Sequence, residues 1–253
     1  GEAVTSDDAK YYASGWKTFG TGVTPTSMEL LPDDYPFRAY FKGGSNQLSQ
    51  DVAADPEVVF ETVNVNMDLF SSTGEALSSI DAMYYASGWK TFGTGVTPTS
   101  MELLPKSYSF RAYYKGGSNQ LSQDVGTDPE VVFETGNVTM ELFSSAGEAL
   151  VSDDAKYYAS GWKTFGSGLT TTSMELLPDS YPFRVYYKGG SLQQSQSVEN
   201  GSIVEFSTTE VTMTLDVDGS PHASTDAKYY ASGWKTFGHG ITETSMELLP
   251  EIY

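Results

Sequence analysis

One decapeptide recurs four times along the chain, and this repetition constrains the fold more than any other feature of the sequence. Tyr-Tyr-Ala-Ser-Gly-Trp-Lys-Thr-Phe-Gly begins at Tyr11, Tyr84, Tyr157 and Tyr229, with spacings of 73, 73 and 72 residues. The hexapeptide Ser-Met-Glu-Leu-Leu-Pro follows each time, beginning at Ser27, Ser100, Ser173 and Ser245. The chain is therefore a tandem array of one small module, and we expect the copies to share one fold.

The repeat boundaries divide the chain into four copies. We place them at residues 1–62, 63–135, 136–208 and 209–253, and we number them copy 1 to copy 4. Copy 1 lacks the first predicted strand of the module, and copy 4 ends after the third. We expect each terminal copy to be completed by a neighbouring chain or by flanking repeats of a longer array. The alternative is a truncated array with disordered ends.

Copy 2 carries the side-chain pattern of an all-β module. Val63, Val65, Met67 and Leu69 alternate with polar residues, which is typical of a half-buried strand. Further strands are predicted over residues 82–92 with an interruption near Gly88, and over 99–104, 108–114, 121–125 and 131–134. No stretch shows a useful apolar stripe of helical period. The predicted fold is an all-β, linear tandem array of small antiparallel β-sandwiches.

The junctions between copies contain no flexible linker. Val58 and Phe60 share one parity, whereas Val63 and Val65 share the other, and no Gly or Pro intervenes. The inward face therefore changes near Glu61-Thr62, and it changes again at Glu134-Thr135. The last strand of one module is predicted to run into the first strand of the next through about two residues. Such a joint is stiff, as a rod requires.

The segment Ser-Met-Glu-Leu-Leu-Pro followed by Tyr35-Pro36-Phe37-Arg38-Ala39-Tyr40 carries a family resemblance. It resembles a hairpin of the prealbumin-like sandwich in carboxypeptidase-regulatory-like and Cna-B-type domains, which form tandem arrays in large secreted bacterial surface proteins. The resemblance implies surface display, stalks and adhesion outside the cell. Two departures are the turn at residues 21–26, which lacks the family's Asp-x-Gly, and the absence of Lys from the first strands, which makes an isopeptide crosslink unexpected.

Composition excludes several classes of function. The net charge of -19 argues against nucleic acid and anionic lipid as partners. No apolar run approaches the ~18 residues of a membrane span, so no membrane insertion is expected. There is no Cys, and the only His residues are His222 and His239 in copy 4. A catalytic, cofactor or metal site common to all copies is not expected, and the chain is predicted not to be an enzyme.

Acidic residues in turns are the remaining candidates for chemistry. Asp7-Asp8, Asp33-Asp34 and Asp153-Asp154 are interpreted as solvated caps, because Asp34 is replaced by Ser107 and Ser180 in other copies. Asp216-Val217-Asp218-Gly219 echoes the start of a calcium loop but lacks the downstream acidic ligand. A plain turn is favoured there, and calcium stays the alternative.

Aromatic residues recur beside one another in every copy and form a candidate ligand face. This face comprises Trp16, Trp89, Trp162, Trp234, Tyr12, Tyr85, Tyr158 and Tyr230. The residues either cover the sandwich edge and the module joint or stack on sugar rings. Repeated weak sugar sites would gain avidity, so polysaccharide is a candidate partner.

Copies 1, 2 and 3 each contain a single Arg. Arg38, Arg111 and Arg184 are predicted to point outward with Tyr40, Tyr113 and Tyr186. If the hairpin after Leu-Leu-Pro is tight, Glu102 lies opposite Arg111 on the same outward face.

The sequence therefore predicts a rigid extracellular stalk or filament segment that associates with copies of its own repeat. A multivalent carbohydrate-binding module is the alternative.

Overall fold

The computed structural model describes residues 3–20, 26–166, 171–238 and 243–252. These residues form strands and turns without a helix, which confirms the all-β fold class with several small antiparallel sheets in tandem. Within the same ranges, nothing is long and apolar enough to cross a membrane as a helix. Most of the predicted turn at 21–26, and His239, lie outside the described residues.

Two compact units divide the chain. The first contains Gly1–Phe70, Glu75–Tyr114 and Ser118–Phe133, and the second contains Ser71–Gly74, Lys115–Gly117 and Glu134–Tyr253. The strands that lie wholly or mostly in the first unit are β1 (Asp8–Tyr12), β2 (Trp16–Gly20), β3 (Asp34–Phe41), β4 (Gly44–Asp51), β5 (Val63–Phe70), β6 (Asp81–Tyr85), β7 (Trp89–Thr91), β8 (Thr99–Leu103), β9 (Ser107–Tyr114), β10 (Gly117–Asp124) and β11 (Glu130–Glu134).

Copy 2 contains two sheets. One has the strand order β10-β9-β6-β7, and the other has the order β11-β5-β8. Alternate side chains of both sheets are buried, including Met67 and Leu69 on β5 and Phe110 on β9. Period-two burial on both sheets is what a small sandwich requires, because each sheet hides one face. Aromatic rings supply much of this core, with Tyr84 and Phe92 in edge contact.

The described strands of copy 1 form one four-stranded sheet, β2-β1-β3-β4. We expected its third and sixth strands to form, but residues 27–31 and 57–61 are not strands. In copy 2 the equivalent segments β8 and β11 both pair with the central strand β5. No described residue of copy 1 corresponds to β5, so these two segments lack the ladder partner that would make them strands.

The second unit continues the same order of elements. Its strands are β12 (Gly136–Phe143), β13 (Asp154–Tyr158), β14 (Trp162–Gly166), β15 (Thr171–Leu176), β16 (Asp179–Tyr187), β17 (Gly190–Val198), β18 (Ile203–Ser207), β19 (Thr209–Thr214), β20 (Asp216–Val217), β21 (Ser220–Pro221), β22 (Ala227–Tyr230), β23 (Trp234–Gly238) and β24 (Glu243–Leu248).

Copy 3 repeats the two sheets, with strand orders β15-β12-β18 and β14-β13-β16-β17. Val138, Met140 and Leu142 of β12 belong to one buried cluster with Phe183 of β16 and Phe206 of β18. One pairing departs from the antiparallel expectation, because β12 and β18 are parallel. The first and last strands of the module run in the same direction, and a parallel pair allows the chain to leave at the end opposite its entry.

The described residues of copy 4 form two-stranded pairs, namely β19 with β24, β20 with β21 and β22 with β23. The pair β20–β21 is a hairpin whose turn residues Asp218 and Gly219 both have positive φ. The segment that echoed a calcium loop is thus a two-residue hairpin turn. No group of three or more His, Asp or Glu side chains suited to a metal is present in the described ranges.

A tight turn joins the two longest strands of each sheet. Its central residues, Lys115 and Gly116 in copy 2, have φ of 48° and 88°, and Lys42-Gly43 and Lys188-Gly189 repeat this geometry. Two positive φ values define a two-residue turn that matches the strand twist. The strand predicted over residues 121–125 therefore starts earlier than expected, because β10 begins at Gly117, directly after this turn.

The predicted change of inward face is confirmed between β11 and β12. Val131 and Phe133 are buried on β11, whereas Val138 and Met140 are buried on β12. Only Thr135 lies between these strands, and only Thr208 lies between β18 and β19. The domain boundaries themselves stay a proposal.

Candidate functional site

The eight aromatic residues of the candidate ligand face form four cross-strand pairs. Tyr12 lies opposite Trp16 on β1 and β2, and the same register pairs Tyr85 with Trp89, Tyr158 with Trp162, and Tyr230 with Trp234. The rings meet edge to face with centroids 5.5–5.6 Å apart. The four tyrosines are exposed. The structure thus brings each predicted pair together at the surface, and its role as a ligand face stays a prediction.

An arginine covers each tryptophan in the first three copies. The guanidinium carbon of Arg38 lies 4.2 Å from the centroid of Trp16, and Arg111 and Arg184 stack on Trp89 and Trp162 at 4.1 and 4.3 Å. Copy 4 contains no Arg. Trp234 is correspondingly 71% exposed, compared with 39% for Trp162. No described strand of copy 4 corresponds to β16 or β17, so this difference reflects the whole neighbouring hairpin together with its arginine.

The guanidinium is held in place by two further side chains. Arg184 donates to Oε1 of Gln193 at 2.6 Å and to the hydroxyl of Tyr186 at 3.5 Å. Arg38 and Arg111 make the same pair of hydrogen bonds with Gln47 and Tyr40, and with Gln120 and Tyr113. The outward Arg–Tyr grouping expected from the sequence is present. The glutamine was missed, although it lies directly opposite the arginine in the register of the hairpin.

The expected pairing of Glu102 with Arg111 is wrong. Glu102 lies on β8, in the sheet β11-β5-β8, whereas Arg111 lies on β9, in the other sheet of copy 2. The chain crosses from one sheet to the other between Leu103 and Ser107 instead of folding back as a hairpin. Leu104 is buried and Tyr108 is buried, so the crossing is a corner of the sandwich.

Replacing Arg184 by alanine tests the shielding of Trp162. We expect the exposure of this indole to rise toward that of Trp234, with a loss of ~0.5–2 kcal/mol of unfolding free energy in copy 3. Quenching of tryptophan fluorescence by acrylamide measures the first effect, and urea unfolding measures the second. Arg184→Lys is the matched control, because lysine keeps the charge without the planar stack. Unchanged quenching in the alanine variant would contradict the shielding.

A second recurrent arrangement lies where one copy meets the next, and we call it the joint. In the first unit, the hydroxyl of Tyr84 donates to the carbonyl oxygen of Lys42 at 2.8 Å. In the second unit, Tyr157 donates to the carbonyl of Lys115 and Tyr229 to that of Lys188, each also at 2.8 Å. The acceptor is each time the turn between the two long strands. These tyrosines belong to the repeated decapeptide, so the motif encodes a contact with the preceding copy.

The glycine of the turn permits this approach. A Cβ added to Gly116 would meet the carbonyl oxygen of Ala159 at 2.6 Å, and one added to Gly189 would meet that of Ala231 at 2.8 Å. Both glycines also have positive φ, at 88° and 87°. A side chain at either position would therefore be strained and would collide with backbone.

A glutamate of the repeated hexapeptide forms the other side of the joint. Glu175 accepts hydrogen bonds from the backbone N–H of Ser72 at 3.1 Å, from the hydroxyl of Ser72 at 2.5 Å, and from the hydroxyl of Thr135. Glu247 is bonded in the same way by Ser145 and Thr208. The partners of Glu175 lie 40 and 103 residues away, and no local sequence pattern indicates this contact.

Electrostatics favours the ionised form of both glutamates. Burial by itself raises the pKa of Glu175, but the hydrogen bonds from Ser72 and Thr135 and the charge of Lys115 outweigh it, so the net pKa lies below its usual value. The pKa of Glu247 is lowered in the same way against burial, by Ser145, Thr208 and Lys188. Hydrogen bonds to a charged acceptor are stronger than neutral ones, which makes this contact the firmest polar part of the joint.

An apolar anchor accompanies these polar contacts. Leu249, the second leucine of the hexapeptide, is 1% exposed and belongs to the buried cluster of copy 3. Its equivalent in copy 1, Leu31, is 79% exposed. The same residue of the hexapeptide is thus exposed in copy 1 and buried in copies 2, 3 and 4, where it is Leu104, Leu177 and Leu249.

These features define a tandem all-β repeat protein whose successive modules are joined by side chains of the repeat itself. No protein-family model and no curated protein sequence matches the chain.

Several solved structures are similar at low scores. The Bacillus anthracis TIE protein has a TM-score of 0.24 and 12% identity, over 85% of this chain and 53% of that chain. The chain thus spans about half the length of that protein. Shaft pilin SpaA from Lactobacillus rhamnosus GG has a TM-score of 0.26 and 12% identity, over 59% and 98% of the two chains. A streptococcal ancillary pilin has a TM-score of 0.24 and 10% identity, over 69% and 75%. Because these scores are so low, the likenesses carry no conclusion about function.

Proposed function

We propose that this chain is a non-enzymatic structural segment of an extracellular, surface-displayed protein, and that it acts as a stiff spacer. The observation that carries the proposal is the recurrence of the joint. The tyrosine hydroxyl reaches the preceding turn in all three joints, at Lys42, Lys115 and Lys188. A contact repeated with the period of the module is what a spacer of any number of copies needs.

The joint of copies 3 and 4 resists bending because several contacts would have to break together. A neutral hydrogen bond contributes about 0.5–1.5 kcal/mol net, and one to a charged group about 1.5–3 kcal/mol. At the joint of copies 3 and 4, these hydrogen bonds act together with the burial of Leu249. The connection between the two copies there is a single residue, Thr208. Hinge motion through such a joint has no flexible residue to absorb it.

The partners of a spacer are its own flanking repeats. Surface display agrees with the family resemblance of the Leu-Leu-Pro segment and with a net charge of -19, which keeps copies in solution apart except where specific contacts form.

Joint stiffness is measured by the width of a distance distribution between two spin labels. The chain has no Cys, so Ser195→Cys and Thr236→Cys introduce labelling sites on exposed residues of copies 3 and 4. We expect one narrow distribution at neutral pH. Glu247→Ala should broaden it several-fold, because it removes the hydrogen bonds of Ser145 and Thr208.

Glu102→Ala is the matched control for this substitution. Glu102 holds the same place in copy 2, yet it makes no such bond to serine or threonine in the part of the chain that is described. The control should leave the distribution unchanged. Because the pKa of Glu247 is lowered, its contribution is present above the usual carboxyl pKa of ~4.3 and is lost as the pH falls through the folded-state value. A broad distribution in the unmodified joint at neutral pH would refute the stiff spacer.

Carbohydrate adhesion is the second candidate, favoured by the Tyr and Trp pair of every copy, in which the tyrosine is exposed. Arginine already occupies one face of the indole in three copies, which leaves less surface for sugar stacking. Binding to a glycan array that is abolished by Trp89→Ala would establish this function instead.

A further inference from the structure

A cleft lies at the joint of copies 1 and 2, and we call it the serine cleft. Its walls are residues 43–45 in the turn between β3 and β4, residues 85–87 at the end of β6, residues 106–109 at the start of β9, and Ser122 of β10. All of these residues belong to the first compact unit. The volume of about 340 Å³ lies in the size range of pockets that bind small molecules, so one small ligand fits.

Packing of the copy 1 turn onto copy 2 forms this cleft before any ligand binds. A Cβ added to Gly44 would meet the hydroxyl oxygen of Tyr108 at 2.5 Å, and one added to Gly43 would meet the carbonyl oxygen of Ala86 at 3.0 Å. The tyrosine hydrogen bond described above for this joint holds the same turn. Because the turn touches copy 2 so closely, a ligand need not order the walls when it binds.

The walls of the serine cleft are rich in hydroxyl groups. Five serines line it, namely Ser45, Ser87, Ser107, Ser109 and Ser122, and the hydroxyl oxygens of the last two lie 3.1 Å apart. The exposed ring of Tyr85 forms one side. None of the described side chains that line the cleft is a carboxylate, although the chain has 33 Asp and Glu residues. Hydroxyls beside an aromatic ring suit a ligand that is itself a hydroxylated ring.

Lys106 places a positive charge at the same cleft. Its ammonium lies 5.8 Å from the ring centroid of Tyr108, which is a buried residue of the same wall. Lys106 makes no ion pair with a described carboxylate, whereas Lys156 pairs with Asp154 at 3.2 Å. The charge of Lys106 is therefore available to an anionic ligand.

Copy 2 differs from its neighbours at this cleft more than elsewhere. Residues 9–62 and 82–135 differ at 7 of 54 positions, which in copy 2 are Met83, Lys106, Ser107, Ser109, Tyr114, Gly126 and Thr127. Three of these seven residues line the cleft. Where copy 2 has Lys106 and Ser109, copy 1 has Asp33 and Pro36, and copy 3 has Asp179 and Pro182. Copy 2 thus has an ammonium in place of a carboxylate and a hydroxyl in place of a proline ring.

We propose that the serine cleft binds a saccharide ring that carries a carboxylate, as a hexuronate unit does. The serine hydroxyls exchange hydrogen bonds with the ring hydroxyls, the apolar face of the ring lies on Tyr85, and the carboxylate pairs with Lys106. In a chain with a net charge of -19, the reversal of charge at Lys106 is what allows an anion to stay at this place. The inference goes beyond the spacer role and does not depend on it.

Titration of the full chain with methyl β-D-glucuronide and, separately, with methyl β-D-glucoside tests the ligand class. Saturation-transfer NMR of the sugar protons measures both affinities. We expect a Kd on the order of 1 mM for the glucuronide, because a single ring offers few atoms, and binding of the glucoside at least about tenfold weaker. Equal binding of the two sugars, or no binding of either at ~20 mM, would overturn the proposal.

The double substitution Lys106→Asp with Ser109→Pro tests the location. Copies 1 and 3 carry these two residues at the equivalent positions, so the module accepts them. We expect the affinity for the glucuronide to fall at least about tenfold. Thr127→Ala is the matched control, because it also restores the residue of copy 1 but lies outside the cleft, and it should leave binding unchanged. Full binding by the double variant, or loss of binding in the control, would overturn the location.

The reciprocal substitutions transfer the site to copy 3. The other side chains that copy 2 contributes to the cleft recur in copy 3 as Tyr158, Ala159, Ser160, Ser180, Tyr181 and Ser195. In a chain that carries Lys106→Asp and Ser109→Pro, adding Asp179→Lys and Pro182→Ser should restore glucuronide binding. Failure to restore it would overturn the assignment of selectivity to these two positions. The spin-label measurement between copies 3 and 4 does not involve the cleft, so failure of binding and failure of the stiff spacer are distinguishable.

Discussion

Leu249→Ala is expected to lower the free energy of unfolding of the joint between copies 3 and 4 by about 2–5 kcal/mol, the usual cost of removing a fully buried leucine. Leu249 is 1% exposed and lies in the cluster that contains Val138, Leu142 and Phe206. Truncation removes apolar contacts and leaves a cavity between two copies. Native-state hydrogen exchange in β24 and β19 measures the effect, because tandem modules need not unfold in one step.

Leu31→Ala is the matched control for this leucine. Leu31 holds the same place in the same hexapeptide, but it is 79% exposed in copy 1. We expect its replacement to change stability by no more than about 0.5 kcal/mol, as for an ordinary surface position. Equal effects of the two substitutions would show that the leucine serves its own copy rather than the preceding one, and the assignment of Leu249 to the joint would fall.

Gly116→Ala is expected to cost at least about 2 kcal/mol and to release the turn from copy 3. Alanine at φ of 88° costs about 1–2 kcal/mol in backbone strain. Its Cβ would also meet the carbonyl of Ala159, so the turn must withdraw, and the bond from Tyr157 to Lys115, worth about 0.5–1.5 kcal/mol, is lost. Hydrogen exchange in β13 and at the turn measures the loss.

Gly147→Ala separates strain from collision. Gly147 has φ of 82°, and no atom lies within 4 Å of the Cβ that alanine would add. We expect its replacement to cost only the strain, about 1–2 kcal/mol, and to leave exchange at the joint unchanged. If both variants affected β13 equally, the close approach at Gly116 would not be part of the joint.

Much of the fold could be predicted because its signals are local. Alternation of apolar and polar residues along Val63–Leu69 and Tyr108–Tyr114 identified strands that the structure contains as β5 and β9. The change of parity at Glu134-Thr135 located a connection of one residue. Segments 27–31 and 57–61 carry equally good strand patterns, yet they are not strands in copy 1. A strand also needs a partner for its backbone, and that partner is not a property of the segment.

The candidate sites also contain some contacts that the sequence predicts and others that it does not. The Tyr and Trp pairs were predictable, since residues four apart across a Ser-Gly turn face one another in a hairpin. The partners of Arg111 were not, because the register of β9 with β10 and the packing of β7 select Gln120 and Trp89. Glu175 was beyond sequence reasoning, since Ser72 lies 103 residues away.

By itself, the sequence determined the repeat, the strand periods and the change of inward face at the junctions. These follow from side-chain order along a few residues, where geometry fixes the direction of each side chain. Only the tertiary structure decided which sheet each strand joins, that Glu102 and Arg111 lie in different sheets, and that Tyr157, Glu175 and Leu249 serve the joints. Strand pairing and contacts between modules depend on groups tens of residues apart. They stabilise the protein only when those distant segments are folded together, so no single segment of the sequence predicts them.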